Sequence, residues 1–148
     1  MIETLSEEQK DQLRKIIVLE AEKCLDVQYE LGSEWVDYSR TPEKLDCSEL
    51  VEGCYNIAKL TMKDGSQNQY DFTVPIVNPK FGDLAFMGKD MGNSKKIYHV
   101  GIVFDDKYII EARAFDGRPW TGKVCLREKV YWENWRNFAG YRSHPKLA

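Results

Sequence analysis

The sequence predicts an α+β fold in which helices come first and an antiparallel sheet follows. Two observations carry this. Apolar residues recur at helical spacing in two stretches before residue 60, and the apolar runs after residue 80 are short and bounded by turn residues. Asp105-Asp106 separates two of these runs at hairpin distance, which makes neighbouring strands antiparallel. A chain of 148 residues with 43% hydrophobic content is one domain with a sizeable core. Lys59–Pro79 is read as a helix tail and long loop, and no internal repeat or linker marks a second domain.

The first helix opens on Ser6-Glu7-Glu8-Gln9, a capping-box pattern, and runs to about Leu25. Leu13, Ile16, Ile17, Glu20, Ala21 and Cys24 trace its inner face, with Glu20 as the polar exception. Val27–Ser33 is a turn, and Ser33–Lys44 is a polar loop in which Trp35 and Tyr38 act as pins more readily than as cleft walls.

The second helix, Leu45–Ala58, places Cys47, Leu50, Val51, Cys54, Tyr55 and Ala58 on one face. Asp46 is its N-cap, with a free hydroxyl nearby at Ser48. Cys47 falls in the first turn, in the positive field of unpaired N–H groups, which favours a nucleophilic thiolate. The plainer reading is a core cysteine.

Strands are expected at Phe81–Met87, Ile97–Phe104, Lys107–Arg113, Lys123–Arg127 and Asn137–Arg142, with Gly88–Lys96 and Ala114–Gly122 as loops and Tyr131, Trp132 and Trp135 as an aromatic segment. Of two histidines, His144 is read as solvated in the C-terminal tail, and His99 lies inside the most apolar strand. A strand histidine is often a satisfied core residue. Glu111, however, occupies an equally apolar setting on the returning strand, and a buried carboxylate needs a partner. If the two meet, Cys47, His99 and Glu111 form a set of nucleophile, base and orienting carboxylate. Facing pairs in this hairpin require an odd-length loop, and direct opposition of His99 and Glu111 centres it on Asp105. An unbulged turn of Asp105-Asp106 alone would separate them. Arg113 or Lys107 is the alternative partner for Glu111.

Composition excludes several classes. Net charge is −3 with a pI near 5.5, and no basic tract marks a nucleic-acid surface or capture by an anionic wall. No apolar run reaches membrane-spanning length. The four cysteines, Cys24, Cys47, Cys54 and Cys125, match neither a zinc spacing nor a disulfide framework, so no metal or cofactor is expected and the thiols are expected reduced.

Asp46-Cys47-Ser48-Glu49-Leu50-Val51 resembles the Asp-Cys-Ser-Gly-Leu-Val signature of the NlpC-like cell-wall cysteine peptidases. Phe81-Gly82-Asp83-Leu84 resembles that family's Gly-Asp-Leu strand, and His99-Val100-Gly101-Ile102-Val103 its His-Val-Gly-Ile strand. Tyr29-Glu30-Leu31-Gly32-Ser33 is similar to its Tyr-x-x-Gly-Gly turn, and Phe138–Arg142 to its final strand. The resemblance spans about residues 27–143. It implies a papain-like fold, one domain over residues 1–148, and a nucleophile helix packed on a central antiparallel sheet. It implies hydrolysis of a peptidoglycan stem-peptide amide, typically between D-Glu and the diamino acid, through a thioester. Cys47, His99 and Glu111 would be catalytic, backbone N–H groups at the helix start would hold the oxyanion, and Tyr29, Asp46 and Ser48 would border the substrate.

Glu49 stands where the family has glycine. A carboxylate beside the thiol would disfavour the thiolate and crowd a subsite. Glutamate is also less usual than His, Asn or Gln at the position of Glu111. The alternatives are another papain-like acyl transfer, of toxin-amidase or transglutaminase type, and a non-enzymatic phage tail module. Product mass separates hydrolysis from amine incorporation, and ordinary iodoacetamide reactivity of Cys47 would favour the module. Met1–Leu5 lacks signal-peptide character, so cytoplasmic synthesis with delivery by phage lysis, a virion or secretion machinery is the expectation.

Overall fold

The computed structural model describes residues 4–115 and 118–148. Helix α1 (Glu7–Lys23) is followed by β1 (Gln28–Tyr29), β2 (Lys44–Leu45), α2 (Cys47–Ile57), α3 (Ser66–Phe72) and β3 (Val74–Ile76). Five more strands, β4 (Leu84–Asp90), β5 (Lys95–Val103), β6 (Tyr108–Phe115), β7 (Arg118–Glu128) and β8 (Phe138–Ser143), complete the chain, with α4 (Lys129–Asn134) before the last. The sheet has the order β2-β1-β7-β6-β5-β4-β8-β3 and is antiparallel apart from the short β1–β2 pair. This is the papain-like α+β architecture: α1 and α2 pack together, and α2 lies against β5 and β6 at the middle of the sheet.

The capping box of α1 forms in both directions, Ser6 Oγ accepting from Gln9 N–H and Gln9 Oε1 from Ser6 N–H. Ile17, Ala21 and Cys24 are buried as the periodicity predicts, but Ile16 is exposed and Arg14 takes an inner position. Arg14 reaches that depth because its charge is answered: Asp83 Oδ1 lies 2.7 Å from one of its nitrogens, and the Leu147 carbonyl accepts from another at 3.1 Å. Ser143 donates to the same Asp83 oxygen, so one carboxylate ties α1 to the ends of the central strands. Phe81–Asp83 is thereby a turn, and β4 begins at Leu84.

Several local expectations change. Lys59–Pro79 is not one loop: it contains α3 and the edge strand β3. Pro75 has no N–H to donate, and an outermost strand is where a sheet tolerates that. Gln69 on α3 is fully buried and donates to the carbonyls of Ser48 and Lys63, bracing the first turn of α2. The expected loops at 88–96 and 114–122 are mostly strand, because β4 and β5 pair out to Asp90 and Lys95, and β6 pairs with β7 out to Phe115 and Arg118. Asp116 and Gly117, within the second, lie outside the described residues. The aromatic segment is the helix α4, which buries Trp132 completely.

His144 is not solvated. It is 3% exposed, lies 5.9 Å from the Tyr55 ring in a stacked arrangement, and donates from Nε2 to the Thr61 carbonyl while Nδ1 accepts from Lys146 N–H. Burial holds its pKa below the ordinary value, consistent with this neutral tautomer.

Candidate active site

The site is built at the first turn of α2 and on one face of the central strands. Asp46 caps α2: Oδ1 accepts from Glu49 N–H at 2.9 Å and from the Ser48 hydroxyl at 3.2 Å, and Oδ2 accepts from Gly32 N–H at 3.1 Å. The Ser48 hydroxyl is therefore not free. Asp46 fixes both the helix start and the Leu31-Gly32 turn, leaving Cys47, half-buried, at the mouth of a cleft.

Strand alternation puts His99 and Gly101 of β5, Glu111 and Arg113 of β6, and Cys125 and Arg127 of β7 on one face. The hairpin loop is odd in length, as facing side chains require, but it is centred on Asp106: Val103 pairs with Ile109 and Ile102 with Ile110. Glu111 therefore lies opposite Gly101 and reaches His99 on the diagonal. Gly101 makes this possible. A Cβ there would lie 2.6 Å from Ile109 Cγ2 and 3.0 Å from Trp132 Cζ2, so the missing side chain is the space that Trp132 enters beside Glu111.

Glu111 is fully buried and accepts four hydrogen bonds. Oε1 receives His99 Nε2 at 2.8 Å and an Arg127 terminal nitrogen at 2.6 Å; Oε2 receives Arg127 Nε at 2.8 Å and Trp132 Nε1 at 2.8 Å. Neither Arg113 nor Lys107, the alternative partners, pairs with it. Burial alone would raise this carboxyl, but the hydrogen bonds and charges of His99 and Arg127 prevail and hold it at about 2. His99 stacks on Trp132 with ring centroids 5.3 Å apart, which fixes its plane. Its Nε2 is bound to Glu111, so Nδ1 is the nitrogen left to face the Cys47 thiol, which lines the same cleft and acts on the charge of the imidazole. Burial pushes the imidazolium down; hydrogen bonds and charge from Cys47 and Glu111 push harder, and its pKa stands at about 10.

Tyr29, Asp46 and Ser48 all line the cleft, which has a volume of about 760 Å³. Burial and the nearby Cys47 and Asp46 raise the Tyr29 phenol to about 12, so it stays a neutral donor. The sequence reading did not find Arg127 and Trp132, which complete the shell of Glu111, or Arg113 and Tyr131 on the wall. A basic residue and a tryptophan that each follow an apolar strand are the only local signals, and neither names a partner.

Glu49 does not crowd the thiol. It is 6% exposed, and its Oε1 accepts from Trp35 N–H at 2.9 Å. Trp35 packs onto Gly53, where a Cβ would collide with its ring, and donates to the carbonyls of Asp37 and Arg40. Glu49 thus anchors the 33–44 loop from beneath, and Trp35 is the pin of that loop. Carboxylate oxygens of Glu49, Glu52 and Asp64 lie within 4.8 Å of one another. Burial, then the hydrogen bond with Glu52, raises Glu49 to about 8 from an ordinary 4.5.

The folded protein therefore holds a proton on Glu49 that the unfolded chain releases. Stability from this source is complete below about pH 4.5 and falls as pH rises toward about 8. Glu49→Gln keeps an acceptor for Trp35 and removes the titration. It is expected to flatten the decline in Tm between pH 5 and 9, with a gain of a few degrees at the alkaline end. Parallel Tm curves for the two proteins would refute this account.

The helix-borne thiol, the strand histidine and the buried carboxylate stand together in a papain-like α+β frame. The family model described as NlpC/P60 family matches residues 27–135, and the chain belongs to that family. Solved structures agree in fold. A protein from Staphylococcus aureus, described as similar to lipoprotein, NLP/P60 family, superposes with a TM-score of 0.68 at 23% identity over 96% of this chain and 43% of its own. The peptidoglycan hydrolase RipB from Mycobacterium tuberculosis gives 0.68 at 22% identity, over 94% of this chain and 67% of its own. The P60 domain of an antigen from M. avium subspecies paratuberculosis gives 0.67 at 17%, over 91% of this chain and 96% of that domain. The chain thus spans less than half the length of the staphylococcal protein. No curated protein matches by sequence. No helix among the described residues is long and apolar enough to cross a membrane.

Proposed function

We propose that the chain is a cysteine peptidase that hydrolyses an amide bond in peptidoglycan stem peptides, between D-Glu and the diamino acid, through a thioester on Cys47. The observation that carries this is His99, bound to the buried Glu111 carboxylate, lining an open cleft together with the Cys47 thiol. Family membership, and a structural neighbour named as a peptidoglycan hydrolase, support the substrate class.

In this mechanism Cys47 Sγ, as thiolate beside the His99 imidazolium, attacks the scissile carbonyl carbon. The carbonyl oxygen takes up the negative charge and is met by N–H groups of the first turn of α2, which have no intrahelical acceptor. His99 Nδ1 gives its proton to the leaving amine, the C–N bond breaks, and a thioester remains. A water molecule then gives a proton back to Nδ1 and adds to the thioester carbon. Loss of the thiolate frees the carboxylic acid and restores the ion pair. Glu111 keeps Nε2 protonated throughout and holds the imidazole in plane.

Mass spectrometry of purified muropeptides incubated with the protein tests the reading. The expected products are two fragments whose masses sum to the substrate plus one water, cut at the D-Glu carbonyl, with none formed after iodoacetamide treatment. Incorporation of an added amine without hydrolysis would replace this function with acyl transfer. Intact muropeptides after incubation with folded protein would overturn it.

A further inference from the structure

Two guanidinium groups line the cleft, and among the described residues only one of them has an anionic partner. Arg127 is bound in two places to Glu111. Arg113 follows Glu111 by two residues on β6, so it shares that face. It lines the cleft together with Cys47 and His99. Its Nε is buried and has no hydrogen-bond partner among the described residues, its guanidinium lies 4.7 Å over the Phe115 ring, and the Cys125 thiol is the polar group that interacts with the guanidinium. No carboxylate among the described residues lies within ion-pair distance of it. The two that share the cleft region are engaged elsewhere, Glu111 by His99, Arg127 and Trp132, and Asp46 by its capping bonds.

A partly dehydrated guanidinium with no anion among the described residues is costly to keep, whereas a planar fork of donors matches a carboxylate. We propose that Arg113 receives a free carboxylate that the substrate carries on the acyl side of the scissile bond, so that the site selects acidic acyl donors over their carboxamide forms. This rests on the reading of Cys47 as the nucleophile. In a γ-linked D-Glu peptide the group in question is the α-carboxylate, a few bonds from the carbonyl that Cys47 attacks.

Two measurements test it, and the first needs no peptidoglycan. Alkylation of Cys47 at pH 7 is followed by peptide mass spectrometry with iodoacetate and with its neutral isostere iodoacetamide, and the ratio of the two rates is the readout. Removing one unit charge a few ångströms from the reagent's carboxylate is worth roughly threefold to tenfold in a solvated cleft. Arg113→Gln is expected to lower the ratio by about that factor, and Arg113→Lys to keep most of it. The second measurement compares muropeptides with D-Glu and with D-isoglutamine at the cleavage position. The wild type is expected to prefer the acid, and Arg113→Gln to lose that preference mainly through KM. An unchanged alkylation ratio in Arg113→Gln, or an equal fall in Arg113→Lys, would overturn the proposal and leave Arg113 as a packing partner of Phe115. If the wild type cleaves neither muropeptide, the hydrolase reading fails, while the alkylation ratio still decides the role of Arg113.

Discussion

Replacing Cys47 by alanine is expected to lower kcat/KM for muropeptide cleavage by about 10⁴ to 10⁶, the scale seen when a covalent nucleophile is removed from a triad enzyme. The residual rate would come from binding and the helix N–H groups, neither of which forms a covalent bond. The fold should tolerate the change, because Cys47 sits half-exposed at the cleft mouth and the core of α2 is made by Leu50, Val51, Cys54 and Tyr55. A matched Tm with lost activity is the expected pair of results. A variant that keeps more than about a tenth of the rate would remove the thioester from the mechanism.

Glu111→Gln is expected to lower the rate by about 10² and to move the alkaline limb of the pH–rate profile to lower pH. Four donors converge on this side chain, so an amide NH₂ in place of one oxygen faces a donor of His99, Arg127 or Trp132. Orienting carboxylates in serine triads are worth up to about 10⁴, and a glutamine that still accepts one hydrogen bond keeps part of that. In the proposed mechanism the active form holds the His99 imidazolium, so the alkaline limb follows loss of the His99 proton. With Glu111 charged, that proton is held to about pH 10; without the charge it leaves earlier. Stability shifts as well. The variant leaves the Arg127 charge uncompensated in a half-buried place, a loss on the order of 3–5 kcal/mol at neutral pH if no water relieves it. In the wild type the Glu111 contribution is present above about pH 4.5 and disappears as pH falls toward about 2; the variant should lack that acid-side decline. A rate within twofold and an unmoved alkaline limb would mean that His99 is oriented by Trp132 alone.

The local sequence by itself determined where the chemistry-bearing residues stand along the chain. Asp46 as cap, Cys47 in the first turn and the apolar stripe of α2 are properties of an eleven-residue helix and its cap, written in spacings of three and four. His99 and Glu111 could be assigned to neighbouring strands because a polar residue in an apolar run stands out, and an odd hairpin loop was required before the two could face each other. Only the tertiary structure decided what surrounds them. The centre of the loop lies one residue later than direct opposition demands, and Gly101 supplies the space in which a diagonal contact replaces it. Arg127 and Trp132 reach Glu111 from 16 and 21 residues away through the β6–β7 register and the turn into α4, which no local pattern encodes. Glu49 and His144 show the same limit. Glu49 reads as a neighbour of the thiol and His144 as solvated, and each is buried because distant groups answer it: Trp35 N–H for Glu49, and the Thr61 carbonyl with the Tyr55 and Phe72 rings for His144. The free energy of placing a polar side chain depends on the partner it finds, and the partner is set by chain topology, not by the residues on either side.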